Sequence, residues 1–209
     1  MEYRTVARKA QGEFIEKRSR FIGYIKPLQT QEQALEFIAQ VKTKHWDATH
    51  NVTAYVLRDG GVQRYSDDGE PQGTAGMPTL DVLLKEELTD CAVVVTRYFG
   101  GTKLGAGGLV RAYSRAAKIA VDAGKIITMT MFTVLEVECD YSFYGKLTAL
   151  VPESNGVIED TRFAENVTVR LRIPTAGLER FNADLADLSF GSVKSEQKGE
   201  TYAEIEKIK

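Results

Sequence analysis

Residues 91–99, CAVVVTRYF, are apolar on both faces over their first half. A strand with one wet face alternates apolar and polar residues, so this run predicts a central strand of a sheet. The stretch behind it narrows the fold further. GGTKLGAGG (100–108) packs five glycines into nine residues, and a helix is expected from about Gly108 to Ala123, ended by Gly124. In that helix Leu109, Val110, Tyr113, Ala116, Ala117 and Ala120 make a narrow face of mostly small residues, which permits close approach to a sheet. Arg111, Arg115 and Lys118 fall at i, i+4 and i+7, a basic stripe on the opposite side.

The chain before this point reads as α plus β. EFIEKRSRFIGYIKPL (13–28) predicts an opening strand pair, and a helix is expected from about Gln31 to Lys44. NVTAYVLR (51–58) predicts a strand, 60–76 turn and loop, and 78–88 a helix with Leu80, Leu83, Leu84 and Leu88 inward. The chain after Thr128 is more regular. MFTVLEVEC (131–139) alternates as a half-buried strand, and Asp140 stands at an N-cap position before a helix that Pro152 closes. Strands near 156–163 and at 167–173 follow as a hairpin. Thr175 is placed to cap a helix carrying Leu178, Phe181, Leu185 and Leu188, Gly191 ends it, and a last strand is expected at 192–199. The order β-α-β-β-α-β is the ferredoxin-like split unit. The boundary between two domains is expected near 125–130.

Net charge is −2, which argues against a strongly basic nucleic-acid binder. The distribution matters more. Residues 1–128 carry 18 Lys+Arg against 15 Asp+Glu, and the remainder 9 against 14. Any polyanion site therefore belongs in the first part. The start, MEYRTVARK, has no apolar leader segment, and no run approaches the roughly 20 apolar residues of a membrane span. Cys91 and Cys139 sit inside apolar strand patterns, as buried free thiols of a reducing compartment would. A cytoplasmic protein without a membrane partner is expected.

Backbone N–H groups at a helix N-terminus lack intrahelical partners, and glycines without Cβ let an anion reach them. Arg97 closes the preceding strand and Lys103 lies in the loop. The candidate anion or nucleic-acid site is therefore Arg97, Gly100, Gly101, Lys103, Gly105, Gly107, Gly108, Arg111, Arg115 and Lys118. Glycines also serve tight turns, and outward basic residues are often only solvated, so the pattern alone leaves both readings open. The spacing GxxxxGK[ST] fails at Ala106, and GxGxxG from Gly105 fails at Val110.

A second polar cluster, YSDDGEPQGTAGMP (65–78), offers Asp67, Asp68 and Glu70. Hard cations want such oxygens, but calcium-loop spacing is absent and DDGEP is ordinary turn chemistry. His45 and His50 have no Cys or third His nearby to complete a zinc set. No metal site is expected. GxSxG is absent, and Ser66, Ser114 and His50 have no spacing that demands a nucleophile.

YSDDGEPQGTAGMPTLDVL (65–83) followed by VVVTRYFGGTKLGAGGLVRAYSRAA (93–117) resembles the signature of the YigZ/IMPACT family, in order and in separation. SRFIGYIKPL and KHWDATHNVTAY resemble its earlier portions, so the likeness covers about 15–125, and the second unit matches that of bacterial members. The resemblance implies an α+β protein of two domains. Residues 1–128 would form a ribosomal-protein-like left-handed βαβ domain, a fold shared with the fourth domain of elongation factor G and the GHMP kinases. Residues 129–209 would form a ferredoxin-like domain resembling the last domain of elongation factor G. Eukaryotic IMPACT proteins regulate translation by restraining a starvation-responsive initiation-factor kinase, and bacterial members are regarded as nucleic-acid or ribosome binders. This chain opens almost at once on the shared domain, so kinase-pathway regulation is not expected to transfer. Many relatives carry a further His directly after the one at His50, and often a Cys beyond; here Asn51 and Val52 stand there, which removes ligands from any metal role.

Two classes of function use the loop-helix surface. One is a translation-associated regulator that binds RNA or the ribosome through the basic loop-helix surface, with no cofactor and no catalysis. The other is a phosphate- or nucleotide-binding enzyme or sensor using the same loop, with Asp67, Asp68 or Glu70 holding Mg²⁺ or serving as a base. A protein-binding module is a third, and the oligomeric state is left open. Likeness of fold to translation factors is analogy and names no site.

Overall fold

The computed structural model describes residues 2–204, and it divides into two compact units. The first comprises Tyr3–Thr128, and the second Met129 onward together with Glu2.

The first unit contains strands β1 (Glu2–Val6, all but its first residue), β2 (Ala10–Glu16), β3 (Ser19–Pro27), β4 (His50–Val56), β5 (Gln63–Ser66) and β6 (Cys91–Tyr98). Its helices are α1 (Gln31–Lys44), α2 (Gly76–Lys85) and α3 (Ala106–Gly124). The sheet order is β2-β3-β6-β4-β5, and every neighbouring pair is antiparallel. Because β3 and β4 both run against β6, they run parallel to each other, and α1 makes the crossover between them.

β6 is the central strand expected from its composition. Val93 and Val95 enter one core with Phe21, Leu83, Leu109, Tyr113 and Ala117. Ala92 and Val94 enter the other, against Phe37, Val41 and Tyr24. A strand buried on both faces cannot alternate with polar residues, which is why this one does not. The small face of α3 serves the close approach it predicts: a Cβ at Gly23 of β3 would collide with the Ala116 carbonyl.

Local details depart from expectation in several places. β1 and β5 were not expected, and all four β5 residues are exposed. α2 begins at Gly76 and ends at Lys85, which leaves Leu84 exposed and brings Leu88 to the core from outside the helix. Thr175 does not cap a long helix. It opens a short 3₁₀ turn, and its Oγ1 lies 3.0 Å from Thr133 Oγ1.

The second unit runs β7 (Ile126–Cys139, whose first residues belong to the first unit), α4 (Tyr141–Glu153), β8 (Val157–Phe163), β9 (Val167–Pro174), α5 (Leu178–Ser189) and β10 (Ser195–Glu204). Its strands lie in the order β10-β7-β9-β8, all antiparallel. That is the order of a ferredoxin-like sheet. Asp140 caps α4, accepting from the Phe143 N–H at 2.7 Å. Leu135, Val137, Leu147, Leu171, Phe181 and Leu185 form the core between sheet and helices.

Candidate functional site

The site is built in the first unit, where the end of β6 meets the N-terminus of α3. Gly105 stands before the helix at φ 74° with no side-chain cap, and the Leu109 N–H is the first to return to the Gly105 carbonyl, at 2.9 Å. The amides of Ala106, Gly107 and Gly108 therefore have no acceptor among the described residues.

The glycines divide by physical role. Gly100 is required by packing: a Cβ would strike the Arg18 backbone, and its N–H donates to Ser19 Oγ at 3.2 Å. Gly101 and Gly105 take positive φ, 82° and 74°. Gly108 abuts Leu104. Gly107 has ordinary helical geometry and open space around it, with only Arg111 Nη1 at 3.9 Å from its would-be Cβ.

The basic residues also divide. Arg97 is buried. Its Nη1 meets Glu70 Oε1, Nη2 reaches Ser19 Oγ at 3.4 Å, and the guanidinium lies between the rings of Phe21 and Phe99, each 5.4 Å away. Lys118 is neutralised by Asp122 at 2.6 Å and Glu86 at 3.0 Å; these hydrogen bonds, Asp122 first, raise its pKa. Lys103, Arg111 and Arg115 are exposed, and none has an ion-pair partner among the described residues. Arg115 lies over the Phe14 ring at 4.4 Å. Two cations that the sequence pattern did not single out join them. Lys17 and Arg18 form the two-residue turn between β2 and β3, at φ 45° and 67°. Lys17, Arg111 and Arg115 line one groove of about 260 Å³ with Phe14, Leu104 and Gly108; the acidic residue in its wall is Glu16.

A second cavity, of about 440 Å³, lies across Leu104 from that groove. Phe99, Leu104, Leu109 and Pro71 make its apolar wall, and Glu70, His50, Arg97 and Lys103 its polar one. His50 and Arg97 are cross-strand neighbours on β4 and β6. Glu70 comes from the loop after β5 and is held on one oxygen. Oε1 accepts from Arg97 and from the Tyr113 hydroxyl at 2.7 Å, with His50 Nε2 3.7 Å away. Burial first, and then this bond to Glu70, pushes the Tyr113 pKa far up, so Tyr113 remains a phenol and a donor.

Asp67 and Asp68 serve the loop itself. Asp67 accepts from the amides of Gly73, Ala75 and Gly76 at 2.7–3.1 Å. Burial works to raise its pKa, but these three donors together outweigh it and leave the carboxyl below its ordinary value. Asp68 accepts from Lys42 Nζ and the Asn51 N–H, both at 2.6 Å. Among the described residues no group of three or more His, Cys, Asp or Glu is placed to hold a metal ion. Cys91 and Cys139 are free and buried; burial pushes Cys91 up to about 12 and Cys139 up as well, so neither offers a thiolate. No helix among the described residues is long and apolar enough to cross a membrane.

Comparison with known proteins places these residues in a wider set. The model for the Impact N-terminal domain matches residues 17–121, and one described as a domain of unknown function, DUF1949, matches 137–192. The IMPACT family member YvyE of Bacillus subtilis is 36% identical over 203 residues, 97% of this chain and 94% of the relative. The IMPACT family member YigZ of Escherichia coli is 35% identical over 181 residues, 85% of this chain and 89% of the relative. A crystal structure described as that of an hypothetical protein matches with a TM-score of 0.60 at 32% identity, covering 95% of this chain and 98% of its own.

Proposed function

Because the chain belongs to the IMPACT family, which suggests a role related to the regulation of translation, we propose that it acts there by binding RNA, free or on the ribosome. The observation that carries this reading is the groove in which Lys17, Arg111 and Arg115 converge beside the uncapped end of α3, with Lys103 exposed on the loop leading into that helix. Four cations with no carboxylate partner among the described residues suit a phosphate backbone, which asks for positive charge and amide donors and carries no sequence information. Arg97 and Lys118 have no part in this, since each is already paired. Glycine-rich, uncapped backbone at Gly107 leaves the amides open to phosphate oxygens.

The test is the salt dependence of RNA binding. With four phosphate contacts the slope of log affinity against log salt is on the order of −3 for single-stranded RNA. An Arg111→Ala/Arg115→Ala variant should bind more weakly and flatten the slope by roughly 1.4. Affinity indifferent to salt, or unchanged in the variant, would overturn the reading.

A further inference from the structure

The cavity of about 440 Å³ behind Leu104 is not explained by phosphate binding. It is largely apolar, yet a buried carboxylate and an imidazole face into it. We propose that it is a nucleobase pocket that receives one unstacked guanine while the neighbouring phosphates lie in the cationic groove; this rests on the RNA reading above.

The polar wall selects the base. Every partner of Glu70 is on Oε1, and Oε2 has none among the described residues, although the side chain is buried. Oε2 is not among the sealed, unpartnered polar atoms of the interior, so it is open to the cavity that Glu70 lines and can accept from a ligand N–H. His50 supplies a second acceptor. Its Nδ1 lies 2.8 Å from the Asp68 carbonyl, which can only accept, so Nδ1 carries a proton and in the neutral imidazole it is Nε2 that accepts. Nε2 stands 3.7 Å from Glu70 Oε1, too far for a hydrogen bond between them. Two acceptors side by side call for two adjacent donors. Guanine has them, N1–H and the 2-amino group, on its Watson–Crick edge. Adenine and cytosine put an acceptor beside their single amino group, and uracil flanks its one N–H with carbonyls.

The apolar wall suits the rest of the base. Phe99 is 46% exposed and backed by the Arg97 guanidinium, a ring held ready for stacking. Leu104 separates base from phosphates, since it lines both the pocket and the groove.

The experiment compares two uridine 12-mers, one with a single central guanosine and one with inosine in its place, which lacks the 2-amino group. GMP is tested alone by calorimetry. The proposal expects about tenfold tighter binding of the guanosine oligomer. Glu70→Gln and Phe99→Ala should each abolish this preference while the salt slope persists. Phe99→Ala is the safer variant, because its ring is exposed and its loss leaves the core intact. Equal binding of both oligomers, steeply salt-dependent, overturns the pocket and leaves the RNA reading standing. Binding of GMP without either oligomer upholds the guanine pocket and overturns the RNA reading. Binding of none of the three overturns both.

Discussion

Arg97 Nη1 lies 2.5 Å from Glu70 Oε1, with the two side chains only 5% and 4% exposed. An arginine at the end of a strand, beside a glycine loop, is the residue most readily taken for a phosphate contact. Its position instead makes it an internal strut that ties β6 to the loop after β5 and, through Tyr113, to α3.

Truncating one member of a buried pair leaves the other charged and unpaired, at a cost of about 3–5 kcal/mol. Arg97→Ala should therefore lower stability by about that amount in a urea titration. Arg111→Ala, which removes an exposed side chain with no ion-pair partner among the described residues, should change it by less than about 0.5 kcal/mol. Similar stabilities for the two variants would contradict the distinction drawn between them.

Gly107 offers a separation of stability from binding. It sits in the first turn of α3 with no steric or conformational need for glycine. Gly107→Ala should stabilise the protein by up to about 1 kcal/mol through helix propensity alone. The added Cβ should hinder phosphate at the open amides, so RNA affinity should fall as stability rises. A variant more stable and equally tight would mean that the amides are not used.

The turn between β2 and β3 holds Lys17 and Arg18 at positive φ, a region where glycine or asparagine is at ease and long side chains are not. Lys17→Asn/Arg18→Gly should raise stability by about 1 kcal/mol or more. RNA binding should weaken and the salt slope shrink by roughly 1. Thermal melts and filter binding on the same preparation check both halves.

How far the sequence discloses all this depends on the kind of contact. β6, α1, α3 and the whole ferredoxin-like unit announce themselves because burial imposes period and composition on long segments. β5 does not, since QRYS is an exposed edge strand and nothing in its residues is constrained by a core. At the site, Arg111 and Arg115 are legible because helical spacing puts them on one face, and Lys103 because it lies in the glycine loop before that helix. The pairing of Arg97 with Glu70 joins residues 27 apart and follows from how the loop after β5 folds back onto the sheet. Lys17 was hidden for a related reason. Nothing local says that the β2–β3 turn ends beside α3, although reading residues 13–28 as a hairpin puts a basic pair at its tip.

His45 carries a pH dependence. It lies between two phenols, Nε2 2.7 Å from the Tyr24 oxygen and Nδ1 2.8 Å from that of Tyr98. Burial above all, and then the nearby Lys44 charge, lowers its pKa. The unfolded chain takes up a proton near pH 6.5 that the folded chain does not. Stability should therefore be full above about pH 6.5, decline as pH falls through that value, and level off below the folded pKa. Urea titrations across this range should show the decline in the wild type and a flatter profile in His45→Gln.

The central claim is that this protein meets RNA through the face formed by Lys103, Arg111 and Arg115. The most direct measurement is cosedimentation with ribosomes at low and at physiological salt, comparing the wild type with a folded Lys103→Ala/Arg111→Ala/Arg115→Ala variant. Binding that weakens with salt and is lost in the variant is the result expected. A protein that stays in the supernatant at low salt, or a variant that sediments as well as the wild type, would contradict it.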